Sequence, residues 1–134
     1  MKGSYVLLIE LTNETSIQIG KLGPIHFPAS WYIYVGSAMN GIRSRVRRHV
    51  SDQKKHHWHI DYFLDNAQLK EVYMKESKFK EECSIALIFA QKFHSIPSFG
   101  SSDCSCESHL FYGNKNELEK IINRIGMKRF EEKT

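Results

Sequence analysis

No stretch of the 134-residue chain approaches the roughly 20 consecutive apolar residues of a membrane span. The opening Met1-Lys2-Gly3-Ser4 runs straight into strand-like sequence and lacks the apolar core of a secretory signal. Cysteine is scarce and odd in number: Cys83, Cys104 and Cys106. A chain of this length buries roughly two thirds of its unfolded surface and needs no disulfide staples. The thiols therefore point to a reducing, cytoplasmic setting. Internal repeats, low-complexity tracts and linkers are also missing, so the expectation is one domain over 1–134.

Charge is present but unevenly spread. The net charge of +4 is a mild bias. Between Asn40 and His57, however, stand six basic residues, Arg43, Arg45, Arg47, Arg48, Lys54 and Lys55, and a single acid, Asp52. A local basic block on a near-neutral background is the pattern of phosphate contact, and His57 adjoins it. The competing reading is a solvated helix face.

The run 4–11 (SYVLLIEL) is almost continuously apolar, as in a strand buried on both faces. Residues 17–19 alternate and pair back as a short strand, and 20–28, with two Gly and two Pro, reads as a loop. In 31–36 (WYIYVG), Trp31, Ile33 and Val35 fall on one face and Tyr32 and Tyr34 on the other. Asn40 is placed to cap a helix over 41–50. Further elements are a helix over 58–64, a strand over 69–74 and a helix over 79–89. A long loop over 94–108 follows, then a short strand over 109–112. A last helix starts at Asn114 and ends at Gly126. The fold class is α+β (α/β): a small antiparallel, three-stranded core sheet from 4–11, 31–36 and 69–74, flanked by helices.

On a helical wheel Ile42, Val46 and Val50 make an apolar stripe. Arg45 and His49 share one shoulder of it, and Arg43 and Arg47 the other. A guanidinium held at the margin of a packed face can meet charge developing on phosphate oxygens; the plain alternative is two side chains snorkelling to water. In the 79–89 helix Phe79, Cys83, Ala86 and Leu87 define the buried stripe, Phe89 flanks it, and Glu82 falls on that flank while Glu81 faces solvent. A carboxylate on an apolar flank is costly without a partner. That partner is either a neighbouring cation or a metal such as Mg²⁺, which is commonly held by one or two carboxylates plus water and phosphate. His56, His57, His59 and Asp61 surround Trp58 with spacing poor for zinc, which favours orientation of the basic helix or a phosphate contact. Cys104, Cys106 and His109 form a C-x-C-x-x-H pattern whose further ligand must come from elsewhere, with Cys83 the candidate. Plain buried or loop thiols compete with that zinc reading.

Gly3-Ser4-Tyr5 at the head of the first strand and Tyr34-Val35-Gly36 at the end of the next long one resemble the namesake motifs of the GIY-YIG nuclease superfamily. The continuation YVGSAMNGIRSRVRRH, with Arg45 and His49 on the following helix, and Glu82 on the helix after the next strand, keeps that family's order over about 3–90. A closer resemblance is to a little-characterised branch that combines YVGSA, HWHID and GSSDC-x-C-x-SH, found here at 34–38, 57–61 and 100–109. Its members are sometimes fused to endonuclease III-type DNA glycosylases. Ser4 stands where the superfamily usually has Ile, and one extra residue separates Tyr34 from Arg45.

The resemblance implies a small antiparallel sheet with surrounding helices and a metal-dependent endonuclease that hydrolyses DNA phosphodiesters in repair or processing. It implies Mg²⁺ (or Mn²⁺) on Glu82 and a catalytic set of Tyr5, Tyr34, Arg45 and His49; the basic block is the expected source of nucleic-acid contacts, through Arg43, Arg47, Arg48, Lys54, Lys55 and His57. Tyr5 and His49 are rival general bases, since a free tyrosine titrates near 10 and histidine needs less perturbation. DNA is the implied partner, with RNA as an alternative and a glycosylase as a functional associate. Two other classes stay open: a catalytically silent nucleic-acid-binding module, and a zinc-stapled interaction module.

Overall fold

The computed structural model describes residues 1–51, 55–101 and 106–131. In chain order they form β1 (Gly3–Leu11), β2 (Thr15–Gln18), β3 (Pro24–Phe27), β4 (Ser30–Ala38), α1 (Ile42–Val50) and α2 (His59–Leu64). Next come β5 (Gln68–Glu76), α3 (Glu82–Ala90), β6 (His94–Ser95), β7 (Leu110–Gly113), α4 (Lys115–Ile125) and β8 (Lys128–Arg129).

β1 pairs antiparallel with β4 on one side and β5 on the other, so the three segments expected to share a sheet do so. The sheet nevertheless has six strands, in the order β6-β7-β4-β1-β5-β8, rather than three. β7 covers part of the free edge of β4 and β8 a short part of that of β5, which shortens the open edge of each long strand. β6 and β8 contribute two residues each, too few for alternation to reveal. A separate two-stranded sheet joins β2 to β3. The loop expected over 20–28 thus contains a strand, which Pro24 can open because an edge strand's first residue need not donate.

Alternation along β1 and β4 sorts the core into two layers. Tyr5, Leu7, Ile9, Tyr32 and Tyr34 pack with Ile42 and Val46 of α1 and Ile60 and Phe63 of α2. Val6, Leu8, Ile33 and Val35 pack on the opposite face with Ile85, Ala86 and Phe89 of α3 and Leu118, Ile121 and Ile122 of α4. Because both faces of β1 are covered, its sequence is apolar almost throughout.

Three helix details depart from the wheel analysis. α1 starts after Gly41 and has no side-chain cap, so Asn40 does not cap it; the Ile42 amide instead donates to the Met1 carbonyl at 3.0 Å. Val50 is 56% exposed, and His49 occupies the third buried position after Ile42 and Val46. α3 starts at Glu82 rather than Phe79. The Ser77 hydroxyl donates to the Phe79 carbonyl and accepts from the Phe79 amide, closing a turn that delays the helix. Its buried face becomes Ile85, Ala86 and Phe89, while Phe79 and Leu87 are exposed and Cys83 is half-buried. α4 runs as expected, with Asn114 accepting from the Asn116 and Glu117 amides.

Candidate active site

Tyr5 and Tyr34 project from neighbouring strands onto one face of the sheet, toward α1. Gly36 stands directly opposite Tyr5 in the register. A β-carbon there would fall 2.3 Å from Tyr5 Cζ and 2.4 Å from its hydroxyl, so only glycine lets the phenol lie across β4. A β-carbon at Gly3 would meet the Lys75 carbonyl at 2.1 Å, where β5 approaches closely. Both motif glycines are therefore fitted to backbone or ring contact at the head of β1.

Beyond these strands lies a cleft of about 470 Å³. Tyr5, Tyr34, Arg45, Trp58, Glu82 and His109 are among its lining residues, as are Lys80 and Cys83. The structure thus brings Tyr5, Tyr34, Arg45 and Glu82 together. His49 does not line the cleft. It is buried behind Tyr5, with Nε2 2.7 Å from the Tyr5 hydroxyl. Burial pushes the Tyr5 hydroxyl well above its ordinary range, and Arg45 pulls it only partly back. Burial raises Tyr34 likewise, with Tyr5 and Glu82 adding to the effect. Burial thus favours the neutral form of both phenols and opposes a Tyr5 phenolate.

Arg45 is fixed from two sides. One guanidinium nitrogen donates to the Ser37 carbonyl at 3.1 Å, and the plane lies 4.4 Å from the Trp58 ring centre. Glu82 opens α3, in the first turn where a carboxylate is favoured by the helix dipole. It is half-buried, and its carboxylate makes no hydrogen bond or ion pair among the described residues. A hard cation suits that donor set: one uncompensated carboxylate, neighbouring hydroxyls and room for water and a phosphate oxygen. Glu81, in contrast, pairs with Lys75 at 3.4 Å.

The basic block divides. Arg43, Arg47, Lys55 and His57 are exposed, and Lys54 lies outside the described residues. Arg48 has another task. Its two terminal nitrogens donate to the two carboxylate oxygens of Asp61 at 2.8 Å each, and its plane lies 4.1 Å from the Trp58 ring centre. Asp61 is wholly buried and also accepts from the His57 and Trp58 amides at 2.8 and 2.9 Å. Burial opposes ionisation of Asp61, but the Arg48 bonds and the two amides outweigh it and hold the carboxyl below its usual range. Arg48 therefore anchors α1 to α2. Of the two readings of the 56–61 cluster, orientation of the basic helix is the one that Asp61 performs.

Breaking a buried ion pair from one side costs about 3–5 kcal/mol. Asp61→Ala is accordingly expected to lower stability by about that much at pH 7, read from urea unfolding. A depressed folded-state pKa contributes stability that is present above the unfolded value near 3.9 and lost as pH falls through the folded one. The gap between wild type and Asp61→Ala should therefore shrink below about pH 4; a gap that widens in acid contradicts the assignment.

Trp58 and Lys80 are cleft residues that the sequence did not single out. The signal for Trp58 was its place beside the Arg45 and Arg48 helix; Lys80 had none beyond standing two residues before Glu82. Cys83, Cys106 and His109 converge, with one ligand atom of each within 4.8 Å of the others, while Cys104 lies outside the described residues. Burial lowers the His109 pKa, with Glu82 pulling the other way.

No helix among the described residues is long and apolar enough to cross a membrane. No curated protein and no solved structure matches the chain. The model of one family does match, over residues 4–130, and the chain belongs to it: the family described as a domain of unknown function, DUF123.

Proposed function

We propose that the protein is a metal-dependent endonuclease that hydrolyses DNA phosphodiesters at the Tyr5–Arg45–Glu82 cleft. The observation that carries this reading is the Tyr5–His49 hydrogen bond at the back of a cleft that also exposes a fixed guanidinium and an uncompensated carboxylate. The resemblance to GIY-YIG nucleases supports the substrate class, and a role in DNA repair or processing beside a glycosylase belongs to the same reading.

In this mechanism an attacking water gives a proton to the Tyr5 oxygen as the Tyr5 hydroxyl proton passes to His49 Nε2. The neutral phenol is then a relay and the imidazole the terminal base, so the raised Tyr5 pKa is no obstacle. The water oxygen bonds to phosphorus, and the bond to the leaving oxygen breaks. Arg45 faces the charge that grows on the non-bridging oxygens. Tyr34 lines the site and helps to exclude bulk water. Glu82 is the residue to hold Mg²⁺ or Mn²⁺, which when bound supplies Lewis-acid stabilisation of the leaving oxygen.

The test is a cleavage assay over duplex, abasic, branched and single-stranded DNA, and RNA, with Mg²⁺, Mn²⁺ or a chelator. Cleavage of at least one substrate that the chelator stops is expected. DNA bound but uncut under all conditions would instead support a silent binding module.

The exposed cations supply a second check. Each phosphate neutralised on duplex DNA steepens the fall of log affinity against log salt by about 0.9. Arg43→Ala, Arg47→Ala and Lys55→Ala combined should flatten that slope by about 0.9 for every phosphate no longer neutralised. An unchanged slope makes the block a solvated face.

A further inference from the structure

We propose that Cys83, Cys106 and His109 bind a zinc ion that fastens residues 106–109 to the first turn of α3. Cys83 is the second residue of α3. His109 is buried, its amide donates to the Phe99 carbonyl at 2.8 Å, and its carbonyl accepts from the Val35 amide at 2.9 Å. Its ring is thus set at the junction of the loop and the sheet. Cys106 comes from the returning limb of the same loop, one residue before Glu107, whose carbonyl accepts from the Ser98 amide at 2.7 Å.

The three ligand atoms lie within 4.8 Å of one another, and Cys83 Sγ is 4.0 Å from His109 Nε2. Tetrahedral zinc, with bonds near 2.3 Å to sulfur and 2.0–2.1 Å to nitrogen, places such atoms about 3.6 Å apart. Closing the Cys83–His109 gap therefore takes a few tenths of an ångström, within the reach of side-chain rotation. Two thiolates and an imidazole are a soft donor set, suited to zinc and unsuited to Mg²⁺ or Ca²⁺, which take oxygen. The site is thus distinct in chemistry from the Glu82 carboxylate, although Glu82 is its neighbour in sequence.

The position gives the ion a structural consequence. Gly100 at the start of the loop packs beside Tyr34, and its amide donates to His59 Nδ1 at 2.8 Å. One end of the loop is therefore held by α2; the zinc would hold the other to α3. Together they fix one wall of the cleft against the helix that presents Glu82. Metal content is measured without substrate, so the zinc site stands or falls apart from the nuclease reading.

The test uses the full chain purified in reducing, chelator-free buffer, with zinc measured by mass spectrometry after gel filtration. One zinc per chain is expected, falling to background in Cys83→Ser, Cys106→Ser and His109→Ala. Replacement by cobalt should give thiolate-to-cobalt absorption in wild type that each cysteine variant weakens. Where a variant fails to fold by circular dichroism, cobalt titration of folded wild type carries the test. A folded, reduced wild type that binds neither zinc nor cobalt overturns the proposal. So does zinc retained equally after Cys83→Ser and His109→Ala.

Discussion

Glu82→Gln is expected to abolish Mg²⁺-dependent cleavage while leaving DNA affinity within about threefold of wild type, a change of under ~1 kcal/mol. Glutamine keeps the size and the hydrogen-bonding capacity of the side chain and removes only its charge, which a hard cation needs from its protein ligand. The half-buried carboxylate has no cation partner among the described residues, so the substitution breaks no ion pair there. The helix loses a small dipole interaction at its first turn, worth about 0.3–1 kcal/mol. Activity and fold should therefore separate cleanly. The assays are plasmid nicking with Mg²⁺ and fluorescence anisotropy on labelled duplex in the presence of chelator. Cleavage within about tenfold of wild type, a barrier change of only ~1.4 kcal/mol, would remove Glu82 from the mechanism.

The elements that proved legible in the sequence are those whose pattern is long or chemically explicit. β1 is nine residues of nearly unbroken apolar sequence, and β4 alternates its aromatic and aliphatic residues between the two core layers that Tyr34 and Val35 occupy. Asn114 and Gly126 bracket α4 because each has a distinct capping chemistry. What was not legible depended on single interactions across the chain. The Ser77 turn displaced the start of α3 and rotated its buried face, yet Glu82 remained on the cleft side because it became the helix's first residue. His49 and Val50 exchanged burial because Tyr5 offers His49 a hydrogen-bond partner, and alternation of polarity contains no such information. Arg48 resembles its neighbours in the basic block in every respect but one: Asp61, thirteen positions away, holds it in a bidentate pair. The convergence of Cys83 with Cys106 and His109 was foreseeable only as the search for a further ligand, since their nearness is a property of the loop's return to the sheet.

Arg45→Ala should lower the cleavage rate by roughly 10²–10³, the loss seen when one preorganised donor to a developing oxyanion is removed. The guanidinium is immobilised before substrate arrives: one nitrogen is tied to the Ser37 carbonyl, and Trp58 backs the plane. Its remaining donors need no reorganisation to meet charge that appears only in the transition state. Such an interaction raises kcat and kcat/KM together, so the variant should lose both in similar proportion with little change in KM. Arg45 also offsets part of the burial penalty on Tyr5, and its removal makes the phenol still harder to ionise. In a relay through a neutral phenol that second effect is small, whereas a phenolate mechanism would suffer it in full. The pH profile distinguishes them: the relay predicts an Arg45→Ala profile of unchanged shape at a lower rate, and a phenolate base predicts an activity limb displaced to higher pH. Arg45→Lys restores a point charge without the planar fork and should recover part of the rate only. A loss confined to KM, or a Tm drop by which unfolding explains the lost rate, would place Arg45 in binding or packing and not at the reacting phosphate.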